Sequence, residues 1–319
     1  MRSLLLDKVA SVTMNVKLGR EVRVANEIQA VEGSVIAVRV TSSKSTYNQL
    51  ELPSGRMSQI KPGDVIAGVL GHRKALFGYS GFVPESVQVG DELHLLNLGG
   101  VIGKCDSINP ALGEPFRVEV LGQILAFPYT GERIGVPAHI RQNALPMADE
   151  LDARGIPVIG VVGTCMNAGK TYAACALIQT LVHRGLKVAS GKATGVSLRR
   201  DVAAMEDAGA HHTLVFTDLG IVTTTASEAP RIARTLITRL AATKPKPDAI
   251  VLELGDGLLG LYGVDAILLD QQIVAAFDAT LLAANDPVGA WGGVRILRER
   301  HGLEPTVLTG PATDNSAGT

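Results

Sequence analysis

Residues 158–171 read VIGVVGTCMNAGKT, an apolar run that breaks into Gly163, Asn167, Gly169, Lys170 and Thr171. No other stretch of the chain restricts its fold as much. The β-branched run is a buried strand, and the following GKTYAACALIQTLVHRG carries apolar residues at helical spacing up to Gly185. A glycine-rich turn between strand and helix brings backbone N–H groups and a helix N-terminus into one concavity, where phosphate oxygens are stabilised. In such a loop Lys170 reaches the terminal phosphates and Thr171 offers its hydroxyl to Mg²⁺. Five residues separate Gly163 from Gly169, one more than in the usual phosphate loop. The plainer reading, a tight turn with a solvated lysine, leaves the strand before it and the helix starting at the lysine unexplained.

The texture behind this loop differs from the texture before it. From about residue 155, strands alternate with helices: LKVASGK, DVAAMEDAGA, HTLVFTD, SEAPRIARTLITRLAAT with Ser227 as its expected cap, DAIVLEL, VDAILLDQQIVAAF, DATLLAAN, VGAWGGVRILRER and PTVLTG. That rhythm implies an α/β fold, a parallel sheet with helices on both faces. Residues 1–140 are instead short apolar runs cut by glycine, such as VEGSVIAVRV, KPGDVIAGVLGH and VQVGDELHLLNLGG. Turn signals every 8–12 residues or so point to a small, mostly-β barrel or sandwich. The expected division is a β-rich substrate or accessory domain over 1–140, a linker over 141–155, and the α/β domain over 156–319.

GTCMNAGKT resembles the variant loop GTxxxxGKT of dethiobiotin synthetase and of the cobyrinic acid amide synthetases, matching at Gly163, Thr164, Gly169, Lys170 and Thr171. Further landmarks of that family follow in order. VASGKATG supplies Lys192 and Gly195, with Ala193 where the family has proline; DVAAM offers Asp201; VLELGDGLLG gives Glu253, with Leu254 and Asp256 where the family has glycines. The resemblance spans roughly residues 156–310. It implies a P-loop NTPase domain that binds ATP through Gly163, Thr164, Asn167, Ala168, Gly169, Lys170 and Thr171. It also implies Mg²⁺ held by Thr171, Asp201 and Glu253, catalytic roles for Lys170 and Lys192, and a homodimer. Lys192 would hold a substrate carboxylate or the transferring phosphoryl group.

Phosphoryl transfer asks a protein for positioning and charge neutralisation more than covalent help. The expected activity is therefore an ATP- and Mg²⁺-dependent ligase or phosphotransferase that activates a carboxylate or carbamate. Two alternatives keep the loop: an N-acyltransferase acting on an amino acid, similar to D-amino-acid N-acetyltransferases, with coenzyme A phosphate in the loop, and a regulatory NTPase switch. Plainer roles compete at single positions. Asp201 suits a helix N-terminus, Lys192 suits a solvated loop, and Asp286 with Asn285 suits a helix cap. Arg199 and Arg200 read as a helix-entry pair or as substrate clamps. Asp256 and Tyr262 sit in a glycine-rich loop able to close over a substrate. His211 and His212, being adjacent, diverge and read as a surface turn. His72, Arg73, Lys74 and Tyr79 in GHRKALFGYSG read as solvated loop residues.

A formal net charge of -1 gives no bulk attraction to nucleic acid or to a membrane surface. The expected partner is a small molecule. Three widely spaced cysteines make neither a disulfide framework nor a zinc motif, and MRSLLLDKVA is too short for a leader core, so a cytoplasmic location is expected. No run reaches the roughly 20 apolar residues of a membrane-spanning helix.

Overall fold

The computed structural model describes residues 1–129, 131 and 134–316. The chain forms two compact units. One comprises Met1–Leu145 with Val196–Arg199 and Thr217–Thr223; the other comprises Pro146–Gly195, Arg200–Phe216 and Thr224–Thr319.

The first unit is a barrel. The strand Phe116–Ala126 pairs antiparallel with Val35–Val40, which pairs antiparallel with Val65–Leu70. Val65–Leu70 pairs parallel with Val101–Ile108, which pairs antiparallel with Glu92–Leu95. Glu92–Leu95 returns antiparallel to Phe116–Ala126 and closes a ring of five strands. Closure removes free sheet edges. Phe116–Ala126 serves several partners because it changes register between Val120 and Gly122. Gly122 sits at φ 151°, where a Cβ would meet the Ala25 carbonyl at 2.6 Å, so the irregularity requires glycine. Inward side chains, among them Val24, Ile36, Val38, Ile66, Ile102, Val118 and Ile124, are fully buried.

Two segments from the back half of the sequence fold with this barrel. Asn97 Nδ2 donates to the Ser197 carbonyl at 2.8 Å, Asn15 Nδ2 to the Thr217 carbonyl at 2.7 Å, and Thr223 Oγ1 to the His72 carbonyl at 2.6 Å. The solvated reading of GHRKALFGYSG holds for His72 and Lys74 but not for Arg73 and Tyr79, which are buried. The Arg73 guanidinium donates to the Leu96 carbonyl and, at 3.2 Å, to the Tyr47 hydroxyl. An arginine buried in this way must be hydrogen-bonded, and one carbonyl and one hydroxyl take that part here.

The second unit carries six strands, β1 (Val158–Gly163), β2 (Val188–Lys192), β3 (His212–Val215), β4 (Ala249–Glu253), β5 (Phe277–Ala283) and β6 (Val307–Thr309). Its helices are α1 (Lys170–His183), α2 (Arg200–Asp207), α3 (Ala229–Ala241), α4 (Val264–Leu269), α5 (Gln271–Ala276) and α6 (Pro287–His301). The sheet runs β3-β2-β4-β1-β5-β6 and every pairing is parallel. This is the α/β architecture that the alternating pattern implied. Helices α1 and α2 pack together on the sheet, and α3 packs with α4 and α5. Every residue of β4 is buried, as a central parallel strand with both faces covered demands. In α3, Ile232, Leu236, Ile237 and Leu240 form one buried stripe at helical spacing.

Local chemistry shifts some boundaries. The helix expected over 264–277 is two, because the Asp270 carboxylate accepts from the Gln272 and Ile273 amides and starts a new helix. Ser227 is not the cap of α3; Glu228 occupies that position without a side-chain bond, and Ser227 pairs with Thr225. HTLVFTD leaves the sheet after Val215 and tightens into a 3-10 turn over Phe216–Leu219. Residues 146–152 lie along α3, where the Ala148 and Asp152 amides donate to the hydroxyls of Thr235 and Thr238 at 2.9 and 3.0 Å.

Candidate functional site

Strand order decides where side chains can gather. The connection from β1 to β2 passes over β4, and the connection from β4 to β5 passes back over β1. These two connections leave the centre in opposite directions, and a ligand crevice opens at the carboxyl ends of these strands. In parallel register Glu253 stands beside Val161 on one side and beside Lys192 on the other. The last residues of β2 and β4 therefore meet next to the loop that follows β1.

That loop absorbs its additional residue with left-handed backbone. Asn167 lies at φ 62° and Gly169 at φ 91°, and α1 begins directly afterwards with Lys170. Asparagine and glycine are the residues that adopt this region at least cost. Lys170 is only 6% exposed, and its Nζ donates to the Cys165 carbonyl at 2.8 Å. Its methylenes press on Gly163, where a Cβ would come within 2.8 Å of Lys170 Cγ and Cδ. Gly163 is glycine because the lysine folds over it. Burial pushes the Lys170 ammonium below the usual lysine range, and Glu253 offsets this in part.

A cavity of about 330 Å³ opens against the loop, at the small end of the ~300–1,000 Å³ typical of ligand pockets. Met166, Asn167, Gly169, Lys170, Thr171 and Tyr172 line one side, and Lys192, Arg200, Asp201, Glu253 and Asp256 the other. Of the residues expected at phosphate, Gly163, Thr164 and Ala168 stand outside this lining. Gly163 lies under the lysine stem. The Thr164 amide donates to the Ala283 carbonyl at 2.9 Å, and Ala168 is buried. Met166 and Tyr172 were not singled out from the sequence; their place inside and just after the loop was the available signal.

The opposite wall is a charged cluster. The Lys192 ammonium donates to Asp201 Oδ2 and lies 3.5 Å from Glu253 Oε1. Arg200 Nε approaches Asp201 Oδ1 at 3.7 Å. Burial opposes the charge on Lys192, yet Asp201 and Glu253 outweigh it and hold the ammonium above the usual lysine range. Burial alone would raise the Asp201 carboxyl; Lys192 reverses this and holds it low. Glu253 is 1% exposed, and its second oxygen, Oε2, is buried without a hydrogen-bond partner. A bare buried carboxylate oxygen costs free energy until a cation or donor meets it.

This observation tests the site for Mg²⁺. Among the described residues no three His, Cys, Asp or Glu side chains converge as a metal site. Mg²⁺ asks for less, since it keeps several waters and binds one or two carboxylates beside substrate phosphates. Glu253 Oε2 and the Thr171 hydroxyl on the cavity wall fit that demand, whereas Asp201 is engaged by Lys192.

Other marked residues divide cleanly. Asp256 reaches the cavity from a left-handed backbone at φ 73°, and burial pushes its carboxyl up. Tyr262 is buried away from the cavity, its carbonyl accepting from Thr224. Arg200 lines the cavity; Arg199 does not, and its amide donates to Glu51 at 2.7 Å. Asp286 caps α6 through the Gly289 amide at 2.8 Å. Asn285 Nδ2 lies 3.0 Å from Cys165 Sγ. His211 and His212 are exposed, and the His211 ring nitrogens face the Val188 and Pro245 carbonyls.

A strand, a glycine-rich loop, a lysine-led helix and a carboxylate on the adjacent parallel strand give the second unit a parallel α/β fold with a loop of phosphate-binding geometry at the carboxyl edge of its sheet. No protein-family model and no curated protein matches the sequence. Among solved structures, the signal recognition particle receptor FtsY from Elizabethkingia anophelis is similar at 20% identity and a TM-score of 0.36, over 50% of this chain and 51% of that one. FtsY of Thermotoga maritima gives 16% identity and a TM-score of 0.35, over 52% and 54%. Chloroplast FtsY of Physcomitrella patens gives 16% and 0.34, over 53% and 54%. The chain thus spans about half the length of the solved structures quoted, 51% to 54%. Likeness this slight carries no assignment, and none of the three is a dethiobiotin synthetase. That resemblance rests on the motifs alone. No helix among the described residues is long and apolar enough to cross a membrane.

Proposed function

We propose that the second unit binds a nucleoside triphosphate, taken here as ATP, with Mg²⁺, and transfers the terminal phosphoryl group to a small acid. One observation carries the reading: Lys170, Lys192 and Arg200 share a single cavity with the carboxylates of Glu253 and Asp201, at the carboxyl edge of a parallel sheet. In this reading the backbone over 166–171 and Lys170 hold the triphosphate tail, and Arg200 with Lys192 draws the anionic acceptor to its end. Thr171 and Glu253 would hold Mg²⁺, which when bound would neutralise negative charge on the phosphates.

An oxygen of the acceptor carboxylate attacks the terminal phosphorus, and the bond from that phosphorus to the bridging oxygen breaks, releasing ADP. The carboxylate is already ionised, so this step needs no general base. A nucleophile such as an amine then attacks the activated carbon and displaces phosphate. The cavity suits a triphosphate tail and a compact acid better than an extended substrate.

The test is product analysis with purified protein, Mg²⁺ and ATP against a panel of acids, with and without amines. ADP release that requires an acid and an amine together is the expected result. Slow hydrolysis indifferent to every acid and amine would instead indicate a regulatory NTPase. Binding of acetyl-coenzyme A without ATP would indicate an acyltransferase.

A further inference from the structure

We propose that Lys192 is a built-in counter-cation for Asp201 and Glu253, and that a divalent cation enters the cavity by displacing its ammonium. The inference rests on the phosphoryl-transfer reading and names the side chain that must move before that reaction. Three observations point to it. The Lys192 ammonium already bridges two carboxylates, donating to Asp201 and standing 3.5 Å from Glu253. The Glu253 side chain is 2% exposed, yet its Oε2 has no hydrogen-bond partner, so the cluster keeps one carboxylate oxygen that a cation or donor can still meet. Lys192 also lines the cavity, so its head group has room to turn toward the phosphate loop.

The Lys192 stem packs against Gly255. Gly255 closes on it so tightly that a Cβ there would come within 2.7 Å of Lys192 Cε and 2.3 Å of the Thr194 carbonyl. On this proposal the terminal ammonium is the part that moves. Two cations cannot share the carboxylates at hydrogen-bond distance without strong repulsion, so cation and ammonium exclude one another there. Once displaced, the ammonium lies on the cavity side, where the transferred phosphoryl group passes. The exchange thus couples cation loading to the arming of a positive charge for that group.

The test uses the full chain and Mn²⁺ alone, without nucleotide, since carboxylate and water ligands suit Mn²⁺ as they suit Mg²⁺. Free Mn²⁺ is followed by electron paramagnetic resonance. Lys192→Met is expected to bind one Mn²⁺ at least tenfold tighter than the natural protein, and adding Glu253→Gln is expected to remove that gain. Equal or weaker binding by Lys192→Met overturns the exchange. Because loss of the ammonium strands two carboxylates and can unfold the unit, the natural protein supplies a second readout. Amine labelling with mass spectrometry is expected to find Lys192 protected alone and labelled as Mg²⁺ rises to saturation; protection unchanged by Mg²⁺ sinks the idea. The outcomes separate the two readings. If ATP with Mg²⁺ binds normally while Lys192→Met leaves Mn²⁺ affinity unchanged, only the exchange fails. If no nucleotide binds but Lys192→Met gains Mn²⁺, the exchange stands and the phosphoryl-transfer reading falls.

Discussion

Each unit of this protein encloses a lysine among polar partners, and the two lysines are satisfied to different degrees. In the barrel, Lys44 Nζ donates to the Tyr79 hydroxyl, to the Leu112 carbonyl at 3.1 Å and to the Glu114 carbonyl at 2.9 Å. An ammonium has three donors, and all are used. The Tyr79, Phe116 and Tyr47 rings stand 4.9, 5.9 and 6.0 Å from the same nitrogen, within cation–π range. Burial lowers the Lys44 ammonium, and burial with Tyr47 beside it pushes the Tyr79 hydroxyl up to about 12. Lys192 in the second unit donates to Asp201, stands in an ion pair 3.5 Å from Glu253, and leaves Glu253 Oε2 bare. A saturated network rigidifies the fold around it. An unsaturated one, on the wall of a cavity, has capacity left for a ligand. On the proposed function, Lys44 serves the fold and the Lys192 cluster serves a ligand.

Substitutions test that contrast. The largest expected effect is at the loop: Lys170→Ala should weaken nucleotide binding by more than about 100-fold, or roughly 2.7 kcal/mol, in titration calorimetry, with the melting temperature little changed. Retained affinity would make this buried lysine structural and erase the distinction. Lys44→Met should do the reverse. Leaving carbonyls and the Tyr79 hydroxyl without their donor should cost about 2 kcal/mol in denaturant unfolding, while nucleotide affinity stays constant.

A smaller effect concerns pH. Burial holds the Lys170 ammonium low, and phosphate favours its charged form, so binding draws in a proton wherever the free lysine is neutral. Affinity should therefore fall as pH rises through the lowered value, by no more than about tenfold per pH unit. Calorimetry in two buffers of different ionisation enthalpy detects that proton. A flat profile from about pH 7 to about pH 10 counts against a phosphate contact at Lys170. The smallest expected effect is at Asp286, beside the loop but bonded to the α6 amide. Asp286→Ala should cost about 1 kcal/mol of stability as a lost cap and leave nucleotide affinity alone; a drop in affinity would move Asp286 into the site.

The same contrast explains what could be read from residues alone. The strands and helices of the second unit were legible because each is a short local pattern, and so were the loop and the cap at Asp286. Glu253 stood out through the motif VLELGDGLLG, and the fold places it at the end of a fully buried strand on the cavity wall. The embrace of Asp201 by Lys192 was not, since it depends on β2 and β4 lying side by side, and no local spacing encodes that pairing. Closure of the barrel was hidden for a similar reason: it depends on one 11-residue strand changing partners at Gly122. Arg73 looked like a surface cation because its neighbours are polar, and only the fold supplies the Leu96 carbonyl that lets it be buried. Val196–Arg199 and Thr217–Thr223 fold with the barrel through Val222 in its core and through hydrogen bonds to residues as distant in sequence as Asn15 and His72, which leave no periodic trace.

The most direct measurement is a crystal structure of the protein with Mg²⁺ and a nonhydrolysable triphosphate analogue. The account predicts phosphate oxygens against the backbone of residues 166–171, the Lys170 ammonium moved from the Cys165 carbonyl onto the terminal phosphates, and the cation beside Glu253. Nucleotide bound elsewhere, with Lys170 still on Cys165 and Glu253 Oε2 still bare, would contradict it.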